Sequence, residues 1–556
     1  MHGKSSHSYN SIVMHFSFSR EVHLFFVYLH LFGIFYHFSL FFACCFKNNV
    51  YICNIFVYKS ECTRYEVRGS LFIYSQKNLN NMQKRLQLLL ALLAFVVTSA
   101  MAQITTSGIS GKISSNGETV IGATVTATHQ PSGTVYRAVT NVDGRYTIQG
   151  MRPGGPYKVS ISYIGYKDKV FNNVSLSLGE TENISCSLQE DAHQLQEVVV
   201  SGKAGLAASR TGAATSMTAE QINNMPSITH GIADVARLNP QLIVTNSGNM
   251  SFAGTNNRYN NFMIDGAANN DVFGLASSGN NGGQAGAQPV SMETIEQIQV
   301  SVAPFDVRQS GFTGGAINAI TKSGTNKFHG SAYYYGYNQD LIGTKYPYLD
   351  GTGYAPKYQK QTQYNMGVTL GGPIIKNKLF FFANYERTNK EYPNLYGVDS
   401  GNSKVNTEQA KDILTMLQKM AEKQGVAFND YFSNQDIYTK SDKAGLKLDW
   451  NINEFNKFAI RWSLVKAEQL SGGGSASSLN SYGYSYPFKS NTNSFIAELQ
   501  SRISPNVSNE ARVSFVRVRD SRDIKANLPM ISITGVGSGT VNIGTERNSQ
   551  ANYLNQ

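Results

Sequence analysis

The sequence predicts a strand-dominated membrane protein: an Ig-like β-sandwich, a small α+β domain, and a transmembrane antiparallel β-barrel that is incomplete at its C-terminal end. Three observations lead there. Only 15% of the 556 residues are charged, while Tyr, Phe and Trp make up 11%; an average globular domain is roughly 25% charged. Mean hydropathy is −0.26, which excludes a bundle of transmembrane helices, each needing ~20 consecutive apolar residues. From residue 326 onward, period-2 segments are joined by connections that alternate long and short, as in barrels of the outer-membrane type.

The N-terminal hundred residues differ from the rest. Residues 1–102 hold 9 Lys/Arg against 3 Asp/Glu, so +6 of the net +11 lies there. The remainder is only mildly basic, with no dense patch of the kind nucleic acid requires. Residues 82–103 read MQKRLQLLLALLAFVVTSAMAQ. Lys84 and Arg85 form a basic start, Leu86 to Val97 an apolar run, and Ala100-Met101-Ala102 a small-residue exit. This is a signal peptide, with cleavage expected between Ala102 and Gln103. Because a complete signal with its own Met follows, residues 1–81 are expected to be spurious upstream translation. Leu24–Phe46 is long enough to span a bilayer but is expected not to anchor the chain. Four of the five cysteines precede residue 82, leaving Cys186 alone, so neither a disulfide framework nor a Cys-rich metal site is expected.

Residues 104–190 read as short strands separated by turn signals: Asn116-Gly117, Pro131-Ser132-Gly133, Asp143-Gly144 and Pro153-Gly154-Gly155. That spacing predicts an antiparallel sandwich. A polar linker, 191–214, follows and carries one β-prone run, Glu197-Val198-Val199-Val200. This run reads either as the last edge strand of the sandwich or as a strand offered to a partner sheet through main-chain bonds. Residues 215–325 predict a strand, two short helices, a hairpin turning at Asp265-Gly266, and a short helix with a strand at METIEQIQVSV.

At this point specific segments resemble a known family. IGATVTA, TNVDGRYTI and VSISYIGYKDK resemble the carboxypeptidase-regulatory-like domain. The series MTAEQINNMP, DVARLNP, FMIDG, METIEQIQV and GGAINAITKSG resembles the plug domain of TonB-dependent outer-membrane receptors. EVVVSG stands where that family carries its TonB box. The family's Arg-Gly-Pro is here Val302-Ala303-Pro304, and its Tyr-Gly is Gln309-Ser310-Gly311. With the sandwich in front, these departures are most similar to the Oar-like branch. The sugar-importing SusC-like branch also carries a sandwich, but GIADVARLNPQL replaces its Leu-x-Gly-x-x-Pro-Gly-Val.

The barrel, 326–556, can be argued without the family. Seven segments have about the ~9–11 residues that a tilted spanning strand needs: 328–337, 362–371, 378–387, 442–450, 457–466, 493–502 and 508–519. Leu446, Leu448 and Trp450 alternate with Gly445, Lys447 and Asp449, giving one lipid face and one lumen face. The seventh segment loses phase at Phe515-Val516. The loop 388–441 is expected to hold a helix near Thr407–Lys423, packed on other loops. Seven strands occupy 231 residues, whereas a plugged 22-stranded transporter needs on the order of 700. The chain is therefore expected to be the N-terminal part of a longer receptor or a broken gene.

The resemblance implies a receptor that binds an extracellular solute of unknown class and imports it with energy coupled through TonB. It implies TonB and outer-membrane lipid as partners, a periplasmic sandwich, and Glu197–Val200 as the TonB contact. Arg258 and Arg308 then face polar groups of the barrel lumen, or stand as solvated surface arginines. No catalytic, cofactor or metal residues are expected. Four scattered histidines follow residue 102, none in triad or metal spacing, and Gly535-x-Gly537-x-Gly539 lacks the helix of a phosphate cradle. The alternative is a surface-exposed or secreted adhesin, or a structural outer-membrane protein, built of β-modules.

Overall fold

The computed structural model describes residues 104–190, 198–200, 213–225, 227, 230–245, 250–302, 312–341, 360–504, 507–526, 528–545 and 549–555. The first part is a two-sheet sandwich of β1 (Ser107–Ser115), β2 (Thr124–His129), β3 (Thr134–Val139), β4 (Arg145–Met151), β5 (Gly154–Ser162), β6 (Lys169–Leu176) and β7 (Val198–Val200). One sheet pairs β1 with β4; the short pieces Thr181–Asn183 and Cys186–Ser187 run parallel to β1. The other runs β7-β6-β5-β2-β3. Alternation sets the faces: Val125, Ala127 and His129 of β2 are buried while its threonines face outward. Ile109, Ile113, Tyr157, Ile161 and Leu176 meet them in the core. Asn116 and Gly117 both take positive φ, 50° and 89°, as a tight two-residue hairpin demands.

The second part contains β8 (Ala213–Thr218), α1 (Ala219–Asn224), α2 (Ile232–Ala236), β9 (Asn261–Ile264), β10 (Ile295–Val302) and β11 (Gly315–Thr321). Thr218 caps α1: its hydroxyl accepts from the Gln221 N–H, and the Gln221 side chain accepts from the Thr218 N–H. The sheet runs β8-β10-β11-β9, with β9 and β11 parallel. Ile232, Val235, Phe252, Phe262, Ile298 and Ile317 form a private apolar core. β10 alternates in chemistry, so Ile298 and Val300 enter that core while Gln297, Gln299 and Ser301 line the opposite face, also buried.

The third part is an antiparallel sheet of eight strands in sequence order: β12 (His329–Asn338), β13 (Thr362–Ile375), β14 (Leu379–Tyr392), β15 (Ile437–Asn451), β16 (Asn456–Ser471), β17 (Tyr486–Ser504), β18 (Val507–Arg522) and β19 (Gln550–Asn555). Among the described residues the sheet does not close on itself. Seven of the strands overlap the expected segments, but β13 to β18 are longer: β14 to β18 extend mainly on the long-loop side and β13 on the short-turn side. β19 escaped sequence reasoning: QANYLN carries too few apolar residues to show a face.

The two faces separate by chemistry. Leu446, Trp462, Phe495 and Phe515 stand in register across four neighbouring strands and are 40–48% exposed. On the other face Glu386, Lys443, Asp449 and Arg461 are buried. β18 keeps its phase throughout, which corrects the expected slip at Phe515-Val516. Val513 and Phe515 point outward; Val516, Val518 and Asp520 point inward and are buried. The apparent slip arose because two valines occupy lumen-side positions. No helix among the described residues is long and apolar enough to cross a membrane. α3 (Thr407–Lys423) lies in the long loop between β14 and β15, on the range expected. Its Ala410 and Leu414 pack on Leu479, Val541 and Ile543 from two other long loops.

Candidate functional site

The candidate site is the junction where the α+β domain, the concave face of the strand sheet and the sandwich meet. It is built outward from one turn. Asp265 and Gly266 take φ of 47° and 75° at the hairpin after β9. This geometry favours Asp-Gly, and it aims the Asp265 carboxylate at the barrel wall. One oxygen accepts from the Thr321 N–H at 2.8 Å; the other accepts from the Thr321 hydroxyl at 2.6 Å and from Arg461 at 3.0 Å. Lys447 lies 3.8 Å away and donates to the Thr321 carbonyl at 3.0 Å. Burial alone would raise the Asp265 pKa; Lys447, Arg461 and the Thr321 bonds outweigh it and hold the carboxyl below its ordinary range.

A second polar anchor lies nearby. Ser291 donates to Glu386 at 2.6 Å, Tyr333 donates to it at 2.8 Å, and Lys443 pairs with it at 2.5 Å. Both anchors join the α+β domain to lumen-facing strand residues through charge and hydrogen bonds. The domain's apolar core, by contrast, stays inside the domain. The exception is a small apolar contact of Ala285 and Ala287 with Val465, Ala467 and Phe488.

The sandwich packs on the end of the barrel sheet that carries the short turns. Arg137 on β3 pairs with Glu454 at 2.7 Å, and Arg152 with Asp449 at 3.1 Å. Asn451 donates to the Thr134 hydroxyl at 2.9 Å, and the Lys457 ammonium lies 3.8 Å from the centre of the Tyr136 ring. The α+β sheet is held too: Gln299 donates to the Leu178 carbonyl at 2.8 Å, and Asn318 to the Ile104 carbonyl at 2.5 Å. A cavity of about 160 Å³ remains between the three parts, bordered by Arg152, Asp265, Glu296, Lys447, Asp449 and Arg461. Its charges balance, and a space of this polarity suits water. Behind it His129 is buried against Tyr157 and bonded to Ser132 at 2.6 Å. Burial, aided by Arg152, lowers its pKa to about 3.

The residues singled out from sequence fall differently. Val198, Val199 and Val200 form β7, paired in parallel with Lys169, Val170 and Phe171, so this run is an edge strand of the sandwich. Glu197, Arg308, Ala102 and Gln103 lie outside the described residues, as do 1–81 and the signal segment. Arg258 donates to the Gly274 carbonyl at 2.7 Å, within its own domain; it is not among the described contacts to the barrel wall, which Asp265 and Ser291 make instead. Sequence reasoning placed Asp265 only as a turn residue. The available signal was an acidic residue at a forced turn opposite lumen-side Lys447 and Arg461. Among the described residues no three His, Cys, Asp or Glu side chains are grouped to hold a metal.

Comparison with known proteins divides the chain at similar places. Residues 108–189 match the family described as Carboxypeptidase regulatory-like domain, and 207–317 the TonB-dependent Receptor Plug Domain. Residues 320–400 and 389–555 match the Outer membrane beta barrel domain. The chain is 29% identical over 273 residues to the TonB-dependent transporter Oar of Myxococcus xanthus, covering 47% of this chain and 24% of Oar. It is 31% identical over 102 residues to the siderophore receptor PirA of Acinetobacter baumannii, covering 18% and 11%. The PirA crystal structure superposes with a TM-score of 0.42 and 16% identity, over 62% of this chain and 44% of PirA. The outer membrane transporter YddB of Escherichia coli gives 0.43 and 13%, over 61% and 44%. The chain thus spans less than half the length of each of these relatives.

Proposed function

The chain belongs to the TonB-dependent outer-membrane receptors, in their Oar-like branch, and from that premise we propose that it takes up an extracellular solute with energy delivered through TonB. The α+β domain is the plug of the pore. The observation that carries the reading is how this plug is held. Asp265 with Arg461 and Lys447, and Ser291 with Glu386 and Lys443, join it to the wall by polar contacts. Buried ion pairs contribute little net stability, and water can replace them one at a time. A domain with its own apolar core can move along such a seam without unfolding. An apolar interface would have to re-bury its area at every step.

Membership of this family supports a Gram-negative outer-membrane location for the barrel. Short turns of such barrels face the periplasm, so the sandwich, packed on the short-turn end, is periplasmic. The long loops with α3 then face outward and receive the solute. Val198–Val200, the edge strand of the sandwich that precedes the plug in sequence, is the TonB contact, and a pull there acts on both. The receptor works by binding and movement, with no catalytic step.

The test is uptake of a labelled panel of peptides, glycans and ferric chelates by cells carrying the gene. A solute of this receptor accumulates in wild-type cells and not in a deletion strain or after a protonophore. If no compound in the panel shows that dependence while the protein is abundant at the surface, the adhesin reading gains.

A further inference from the structure

The two faces of the plug sheet are covered differently. Ile298, Val300, Ile317 and Ala319 enter the plug's own core. On the other face Gln299, Asn318 and Ile320 are also buried, and there the cover comes from the sandwich. Its lead, residues 104–107, runs beside the turn at 177–180. The Ser107 hydroxyl donates to the Ser177 carbonyl at 2.6 Å, the Gly179 N–H to the Thr106 carbonyl at 3.1 Å, and the Gly108 N–H to the Glu180 carbonyl at 2.9 Å. Lead and turn are thus one piece of the sandwich. Against the plug, Ile104, Leu178 and Ile320 pack as a separate apolar cluster. Two plug amides complete the joint. Gln299 on β10 and Asn318 on β11 stand opposite each other in the ladder; Gln299 donates to the Leu178 carbonyl and Asn318 to the Ile104 carbonyl. The acceptors belong to the same two residues whose side chains fill the cluster. Drawing the sandwich off the plug therefore bares apolar surface and breaks two buried amide–carbonyl bonds in one step. Gly179, at φ 73°, permits the close approach, because a Cβ there would stand 3.1 Å from Ile104 Cγ2.

The joint between sandwich and barrel is of another kind. The Arg137–Glu454 pair is half exposed; such pairs hold weakly and are screened by salt. Arg152 and Asp449 are more buried, so the cost of removing both charges from water offsets their attraction. Thr105 accepts from Arg512 at 2.6 Å, but Arg512 is already paired with Glu498 at 3.0 Å. The core of the sandwich contains no barrel residue.

We propose that the sandwich is fastened to the plug rather than to the barrel: Ile104, Leu178 and Ile320, with Gln299 and Asn318, form a clamp through which the plug follows the sandwich when the sandwich is drawn from the barrel end. This rests on the uptake reading above and adds the route by which movement of the sandwich reaches the plug, a route that does not run along the linker 191–214. The polar contacts to the barrel exchange for water first. The clamp, which joins apolar packing to buried main-chain acceptors, holds longer. Gln299 and Asn318 act as positioning residues, fixing the plug sheet against the lead and turn of the sandwich.

The test asks which partner retains the sandwich once the linker is cut. A protease site flanked by Gly-Ser spacers is inserted after Gly205 in the full chain, membranes carrying it are treated with the protease, and cleavage is confirmed on a denaturing gel. The cut sandwich is expected to stay with the membranes through low-salt and high-salt washes. Arg137→Ala with Arg152→Met and Asp449→Asn removes both barrel pairs without stranding a buried charge, and is expected to retain the sandwich within about twofold of the unsubstituted chain. Leu178→Asp is expected to release it about tenfold faster or more, and so is Gln299→Ala with Asn318→Ala, which leaves the sandwich sequence untouched. The released fragment should remain protease-resistant, showing that it left folded. Release of the sandwich from the unsubstituted cut chain, release by the barrel-side variant, or retention by the Gln299→Ala, Asn318→Ala chain overturns the proposal. Neither TonB nor a solute enters this assay, so these results would strike the clamp and leave the uptake reading standing; absence of any energy-dependent solute in cells would do the reverse.

Discussion

Asp265 ties the plug to the barrel wall, and its chemistry is set by its neighbours rather than by its own range. Removing the carboxylate leaves Arg461 and Lys447 buried beside each other without a counter-charge. Asp265→Ala is therefore expected to destabilise the plug in its seat by ~3–5 kcal/mol, read as faster proteolysis of residues 215–325 in membranes. Adding Arg461→Leu should recover part of the loss, since the stranded charge is gone. Unchanged proteolysis in Asp265→Ala would mean that the pair carries no load. His129 makes a second, independent prediction. Its pKa is near 6.5 when unfolded and about 3 in the sandwich, so the unfolded chain binds the proton first. Sandwich stability is then fully present above pH 6.5 and falls as the pH drops toward about 3. Hydrogen exchange of β2 and β5 against pH should show this fall, and His129→Phe should flatten it.

At the scale of elements, the outward belt Leu446, Trp462, Phe495 and Phe515 contrasts with Lys447 and Arg461 one position away. Leu446→Arg places a charge in lipid and should cost about 2–4 kcal/mol near the bilayer midplane. Reduced barrel assembly, seen as loss of heat-modifiable gel migration, is the readout; assembly at the wild-type level would contradict the facing. The sandwich dock separates strong from weak contacts in the same way. Arg152→Ala strands the buried Asp449 and should loosen the sandwich, whereas Arg137→Ala removes a half-exposed pair worth about 1 kcal/mol or less. Much of this was legible in the sequence, because period 2, turn residues and loop alternation are local signals. α3 was found from its stripe, and the Asp265-Gly266 hairpin from its dipeptide. The junction was not legible. Asp265 and Arg461 are 196 positions apart, and Arg137 and Glu454 are 317 apart, with nothing local linking either pair. The edge pairing of β7 was open for a related reason: a short β-prone run reads the same whether it joins its own sheet or a partner's.

The whole molecule has three parts in series: a sandwich, which under the proposed function is periplasmic and meets TonB at its edge strand, a plug seated by ion pairs, and a barrel sheet with a loop layer. Under the proposed function, force enters at β7 and passes to the plug, while solute binding by the loops is expected not to depend on β7. The most direct test of this coupling compares Val199→Pro and Val199→Ile receptors in cells, with a solute found by the panel above. Proline removes a main-chain N–H from the ladder; isoleucine keeps the backbone and the β-branched shape. Val199→Pro is expected to bind the solute at the surface as wild type does and to accumulate none, while Val199→Ile accumulates it normally. Normal accumulation by Val199→Pro would contradict the account, since energy would then enter elsewhere than at Val198–Val200.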